Sequence, residues 1–426
     1  MSIWLVGLLL LLILVNVPIA VALALMTVVA IVASGGVEAI PNVGLVMFSG
    51  ATKFPLIAIP LFILAGTIMN SSGISRRLVA FASALFGFIR GGLSMVSISA
   101  SMFFAEISGS AVADVAAMGS ILIPAMRKRG YSRNFAAAVT SSSATLAVII
   151  PPSIPMILYG VMSGASVVEL FVAGIIPGVI GGLLMMFVAY LWARRANLPV
   201  EEVFRLKRVA ETFRDAGWSL LLPVIILGGI FSGWVTATEG AGIAVVAALV
   251  IGGLVYRELD MARLRRAMVV CGCQTAVVML LVAASALLGD FLTEARVPQR
   301  IAGAIIGFTD SKLAILALLN VFLLVIGLFL HSAAAIILVV PIVMPLVVAM
   351  GIDPVHFGLI VTLNLGIGQQ TPPVASVLVT ACSVARADIW AVTKANLGFI
   401  GVLAVVLLAV TYVPSISMVL VDLFYR

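Results

Sequence analysis

Asp114 closes the stretch Ser108-Gly109-Ser110-Ala111-Val112-Ala113-Asp114, which lies in the middle of a long apolar run over residues 92–126. A carboxylate at bilayer depth costs roughly 2.5–3.5 kcal/mol on insertion scales unless it is paired or faces water. Asp114 can offset that cost by binding a cation or by capping the half-helix that returns from the Ser-Gly-Ser turn, and the two roles are compatible. Thr140-Ser141-Ser142-Ser143 and Thr145 precede Pro151-Pro152-Ser153, and Asn364, Gly366, Gly368, Gln369, Gln370 and Thr371 surround Pro372-Pro373. Pro-Pro removes amide donors and clashes with the preceding turn, so helices over 133–163 and 356–385 are predicted to break inside the membrane. A packing kink is the plainer reading of either Pro-Pro, but hydroxyls and freed carbonyls at both breaks suit Na⁺ or a polar solute. His331, in Leu330-His331-Ser332-Ala333-Ala334, falls at the expected tip of a second long run over 312–350, where an imidazole can take a proton, bind substrate or make a structural hydrogen bond. Glu239, in Thr236-Ala237-Thr238-Glu239, has a structural alternative as a helix-start hydrogen bond. Arg296, Arg300 and Arg386 could contact a carboxylate or serve as topology anchors.

Enzyme chemistry is poorly provided for. The chain has 2 His, and no metal-ligand cluster or nucleophile-base spacing stands out. Cys271 and Cys273 are too close for a normal metal pair, and with Cys382 they read as small apolar side chains. Neither an enzyme nor a cofactor other than a coupling Na⁺ is expected.

The elements that must hold these residues are membrane helices. Hydrophobic residues make up 63% of the 426 positions and charged ones 10%, against about 25% charged in a soluble domain. About a dozen segments of about 20 residues fit, with no room for a sizeable soluble domain. The first run begins at Ile3 with no basic residue before it, which reads as a membrane segment rather than a secretory signal. The net charge of +7 comes from short basic clusters between apolar runs, which argues against nucleic-acid binding. If 92–126 and 312–350 are re-entrant hairpins, each entering and leaving on one side, then 19 of the 24 Lys and Arg share a face and only Lys53, Arg296, Arg300, Lys312 and Arg426 lie opposite. The positive-inside rule makes the first face cytoplasmic and puts both termini outside.

The two halves repeat. Pro124 stands 27 positions before Pro151, and Pro345 stands 27 before Pro372, an offset of 221 that also carries Gly130 onto Gly351. Gly87-Phe88 maps onto Gly307-Phe308 at 220. With the hairpins opening to opposite faces, this is an inverted-topology repeat, 1–215 and 216–426, as is typical of secondary transporters.

The Ser108–Asp114 segment, Ile150-Pro151-Pro152-Ser153-Ile154-Pro155, Thr236-Ala237-Thr238-Glu239 and the run from Gly351 to Val374 resemble the large membrane subunit of tripartite ATP-independent periplasmic (TRAP) transporters over nearly the whole chain. The resemblance implies an all-α, elevator-type, Na⁺-coupled importer of organic acids such as dicarboxylates in a bacterial inner membrane. It implies two partners, a small four-helix membrane subunit and a soluble periplasmic binding protein. Carried over by motif, one Na⁺ would lie among Ser108, Gly109, Asp114, Pro151, Pro152 and Ser153, and a second among the second hairpin tip, Gly366, Thr371 and Pro372. Substrate would sit between the tips, near Ser108, Ser110, Ser153 and His331. The chain departs from the family pattern at His331, at Gln369-Gln370 and at Ala375-Ser376-Val377. A self-sufficient Na⁺/carboxylate symporter is the alternative, and a passive channel or an intramembrane enzyme using Asp114, Glu239 and His331 are more distant ones.

Overall fold

The computed structural model describes residues 7–8, 11–12, 15, 17–108, 111–198, 200, 203–307, 309 and 311–426, without the side chains of 104–108. Among the described residues, eight helices are long and apolar enough to cross a membrane: Phe54–Ser71, Val167–Arg195, Leu206–Phe231, Ala237–Val255, Met261–Glu294, Lys312–Phe329, Ser332–Ala349 and Ile389–Tyr412. The number falls below a dozen partly because proline does what the sequence predicts. Residues 133–163 divide into Arg133–Ala144, a tight turn Thr145–Val148 and Ile154–Ser163. Residues 354–385 divide into Pro354–Gly368 and Ser376–Ala385.

Both long runs fold back on themselves. Gly92–Ser108 is followed by Ala111–Lys128, and Lys312–Phe329 by Ser332–Ala349. The turn of the second hairpin is Leu330-His331, as expected, and its two ends meet where the Lys312 ammonium donates to the Gly351 carbonyl at 2.9 Å.

Local structure repeats with the sequence. After the first hairpin the helix closes on a left-handed Gly130, with the Tyr131 amide bonded to the Met126 carbonyl and the Gly130 amide to Arg127. The second hairpin closes on a left-handed Gly351, with the Ile352 amide on Val347 and the Gly351 amide on Val348. These are Schellman caps, which need a residue at positive φ that only glycine adopts at low cost. Every partner lies 221 positions from its counterpart. The next residues match too: Ser132 caps Arg133–Ala144 through the Phe135 amide, and Asp353 caps Pro354–Gly368 through the Val355 and His356 amides.

Among the described residues, Ile40–Ala51, Ile74–Phe86, Val297–Ile306 and Ser415–Tyr425 lie outside the apolar runs that the sequence shows. Ile74–Phe86 and Val297–Ile306 are short, amphipathic helices, one ahead of each hairpin. Runs of alternating character are invisible to a search for apolar stretches, although period-3.6 spacing reveals them, as with Ile74, Leu78 and Phe81 on the buried side. Leu206–Phe231 also runs through residues 215 and 216, where the two halves of the sequence repeat meet. Its charged first turns carry Lys207, Arg208 and Arg214, which an apolar window discards.

Ion pairs and hydrogen bonds gather the ends of the helices into two groups. Arg76 and Arg77 bind Glu258, Arg77 reaches Asp215, and Arg90 pairs with Val200 across an isolated bridge. Arg426 joins Asp353 at 2.7 Å and Glu169 at 3.2 Å. Burial would raise the Asp353 carboxyl, but the Arg426 guanidinium and two backbone amides outweigh it and hold the group below the usual carboxylate range.

Candidate functional site

A cavity of about 560 Å³ lies where the hairpin tips, the helix breaks and one long helix meet. The first hairpin brings Ala111 and Val112, and the first break brings Val148, Ile154 and Pro155. The second hairpin brings His331, Ser332 and Ala333, and the second break Gln369, Ser376 and Thr380. Cys273, Gln274, Val277 and Val278 of Met261–Glu294, with Ile63, form the facing wall.

Four of these elements present their N-terminal residues to the cavity: Ala111–Lys128, Ile154–Ser163, Ser332–Ala349 and Ser376–Ala385. Each helix N-terminus carries unpaired amides and about half a positive charge. His331 and Ala375 precede two of them without a side-chain cap, although in the second the Leu378 amide is bonded to the Gln369 carbonyl at 3.5 Å. No Lys, Arg, Asp or Glu is among the described residues that line the space. The arrangement is a neutral, hydrogen-bonding pocket with converging positive dipoles, which suits an anion held by backbone rather than by cationic side chains.

The polar residues singled out from sequence fall into several places. His331 lines the cavity. Ser153 does not: it is fully buried, and its hydroxyl donates to the Val148 carbonyl at 2.7 Å and accepts from the Met156 amide. It therefore restrains the first break rather than facing solute. Pro151 and Pro152 are buried in the same break, whose Pro-Pro bond is cis, as is Pro372-Pro373. Asp114 is fully buried in the first turn of Ala111–Lys128, two residues beyond cavity-lining Val112. Gly109 and Ser110 lie outside the described residues, as does the Ser108 side chain. Gly366 packs on Thr145, where an added Cβ would come within 2.9 Å of the threonine methyl. Thr371 donates to the Ile367 carbonyl at 3.1 Å, and Pro372 follows in the half-buried turn. Glu239 accepts from the Thr236 amide and hydroxyl in a reciprocal capping box, the structural alternative for that residue. Arg296 occupies a left-handed turn between Met261–Glu294 and Val297–Ile306 and does not line the cavity. Cys273 does line it and is exposed, unlike the buried Cys271 and Cys382.

Sequence reading missed how the two breaks are joined. The Gln370 amide is fully engaged: its Oε1 accepts from Ser141 Oγ and from Asn396 Nδ2 at 3.1 Å, and its Nε2 donates to the Ser141 carbonyl at 2.8 Å and to Thr145 Oγ1. Asn396 Oδ1 in turn accepts from Ser142. All of these residues are buried. The polar run before one break thus holds the glutamine before the other. A second pair of contacts follows the repeat: Ser101 donates to Ser143 at 2.9 Å, and Asn364, 221 positions after Ser143, donates to Asn320 at 2.7 Å. Gln370→Leu should be costly, since each orphaned buried group costs about 1–3 kcal/mol. A fall of several degrees in melting temperature of the purified protein is expected, and an unchanged melt would show that water or rearrangement replaces the amide.

The model of the family described as "Tripartite ATP-independent periplasmic transporter, DctM component" matches residues 6–416. The chain is 42% identical to the isethionate TRAP transporter permease protein DctMQ of Oleidesulfovibrio alaskensis over 92% of its own length and 62% of that relative's. It thus spans less than two thirds of that longer protein. It is 38% identical to the C4-dicarboxylate TRAP transporter large permease protein DctM of Vibrio cholerae, over 86% of this chain and 85% of that one. The DctM of Pseudomonas aeruginosa is also 38% identical, over 90% of each. The fold is similar to the crystal structure of the Alcanivorax borkumensis YdaH transporter, with a TM-score of 0.64 at 15% identity over 92% of this chain and 90% of that one.

Proposed function

Because the chain belongs to the DctM component family of tripartite ATP-independent periplasmic transporters, we propose that it carries an organic anion inward across a bacterial inner membrane. The observation that supports this most is the convergence of four helix N-termini on one cavity whose described lining has no charged side chain. Dipoles of this kind hold a carboxylate or sulfonate without the strong ion pair that would make release slow. Relatives named for isethionate, C4-dicarboxylate and sialic acid transport agree on an anionic group and on little else.

In this reading Na⁺ is the coupling ion, taken at the first break with Asp114 and at the second near Gly366 and Thr371. The hairpins are re-entrant and open to opposite faces, both termini lie in the periplasm, and the two halves are inverted repeats. The broken helices and hairpins slide as one body against the long outer helices. The network at Gln370 supports that grouping, since it ties the two breaks into one unit. A small membrane subunit and a periplasmic binding protein complete the system.

The test is uptake into liposomes that hold this chain with its small membrane subunit. Under an inward Na⁺ gradient, free organic acid should enter slowly until the binding protein is added outside, and then at least about tenfold faster, a difference of about 1.4 kcal/mol in the effective barrier. Equal rates with and without it point to the self-sufficient symporter, and uptake indifferent to Na⁺ points to a channel.

A further inference from the structure

Gln274 sits near the middle of Met261–Glu294, a 34-residue helix. Its side chain is exposed, and it lines the cavity beside Cys273, Val277 and Val278, its neighbours at helical spacing. An amide at that depth is costly in contact with lipid and is normally hydrogen-bonded. Among the described residues Gln274 has no hydrogen-bond partner, so its donor and acceptor are both free toward the cavity. The rest of that wall is apolar or thiol: Ile63, Val277, Val278 and Cys273. Opposite it lie the uncapped N-termini of Ser332–Ala349 and Ser376–Ala385. The amide of Gln369 stands there too, held only by long contacts of 3.4 Å to the Leu365 carbonyl and 3.5 Å to Ser376 Oγ.

The two sides therefore ask for different chemistry. Positive dipoles on one side take the ionised group, and a neutral amide on the other takes a group that donates, accepts or does both. We infer that Gln274 is a specificity residue that reads the un-ionised end of the substrate, and that the cavity selects organic anions bearing a hydroxyl distal to the acid over their deoxy analogues. The inference rests on the anion-transport reading. It adds that one contact comes from Met261–Glu294, outside the hairpins and breaks that supply the dipoles. A site built to hydrogen-bond a hydroxyl penalises its absence, because the free amide is then left unpaired.

The test is equilibrium binding to the full chain with its small membrane subunit in lipid nanodiscs, in Na⁺, using matched acids: malate and succinate, lactate and propionate, hydroxyethanesulfonate and ethanesulfonate. Wild type should prefer the hydroxylated member of at least one pair by about tenfold or more. Gln274→Leu should cut that preference to within about threefold while leaving the deoxy member's affinity within about twofold, because the helix N-termini are untouched. Gln274→Met, of closer shape, should do the same and serves if the leucine variant folds poorly. A wild type that discriminates no pair, or a folded variant that keeps the preference, overturns the assignment. Binding of none of the acids by wild type overturns the anion reading itself, and the assignment with it.

Discussion

Gly368→Ala should reduce Na⁺-driven uptake by about tenfold or more and lower the melting temperature, although it adds one methyl group. A Cβ at Gly368 would stand 2.4 Å from the carbonyl carbon of Gly327, 2.5 Å from its Cα and 2.6 Å from its oxygen. These are backbone atoms of another helix, so no side chain can turn aside. Small residues let membrane helices approach this closely, and packing there replaces the hydrophobic drive that lipid removes. The methyl must push Lys312–Phe329 away from Pro354–Gly368. That motion starts one residue from Gln369 and two from the Gln370 network, and it pulls on the Val374 amide bonded to the Leu328 carbonyl at 3.3 Å. The second break and second hairpin tip would therefore separate, and the cavity between them would lose its shape. The first break has a similar contact, since a Cβ on Gly174 would lie 2.2 Å from the Ile149 carbonyl oxygen, so Gly174→Ala should be comparably harmful. Gly401→Ala is the control: nothing lies within 4 Å of its built Cβ, and a helix gains from alanine there. Gly368→Ala that melts and transports like wild type would mean the hairpin arm moves freely against the break.

The two breaks were legible because proline acts locally. Pro151-Pro152 and Pro372-Pro373 interrupt their helices whatever surrounds them, and Gly130 and Gly351 close theirs through a φ that few other residues tolerate. The repeat was legible for the same reason, through fixed spacing between such residues. Ser132 and Asp353 stand at the same offset, but their match was not read from sequence, because it is the folded chain that makes both of them N-caps. The partners of Gln370 were not legible. Ser141 and Thr145 lie 229 and 225 positions away, and only the folded chain brings them to the amide. Gln274 was passed over because one polar residue in an apolar run does not reveal whether it faces lipid, a neighbouring helix or a cavity. Ser153 shows the converse: a serine beside a Pro-Pro break reads as a ligand, yet its hydroxyl is committed to the backbone of the break itself.

Asp114→Asn keeps the size of the side chain and removes its charge, which makes it the sharpest test of where Na⁺ acts. The carboxyl is fully buried, in the first turn of Ala111–Lys128, where the helix dipole favours an anion. Capping alone does not call for a formal charge at this depth, since asparagine caps about as well as aspartate at far lower desolvation cost. A carboxylate kept in that setting is better matched to a monovalent cation that enters and leaves with each cycle, neutralising it while bound. If so, Asp114→Asn should fold, melt within a few degrees of wild type and lose uptake by about tenfold or more, the size of effect expected when one charged ligand of a coupled ion is removed. The Na⁺ concentration for half-maximal uptake should rise, and the dependence on Na⁺ should become less steep as one coupled site drops out. Asp114→Ala separates the roles further: it removes both cap and charge, so a capping role predicts damage in Ala and none in Asn, whereas an ion role predicts similar transport loss in both. An asparagine variant with the wild-type Na⁺ response would reassign Asp114 to holding the half-helix, and would leave the first coupling site to carbonyls and hydroxyls around the Pro151-Pro152 break.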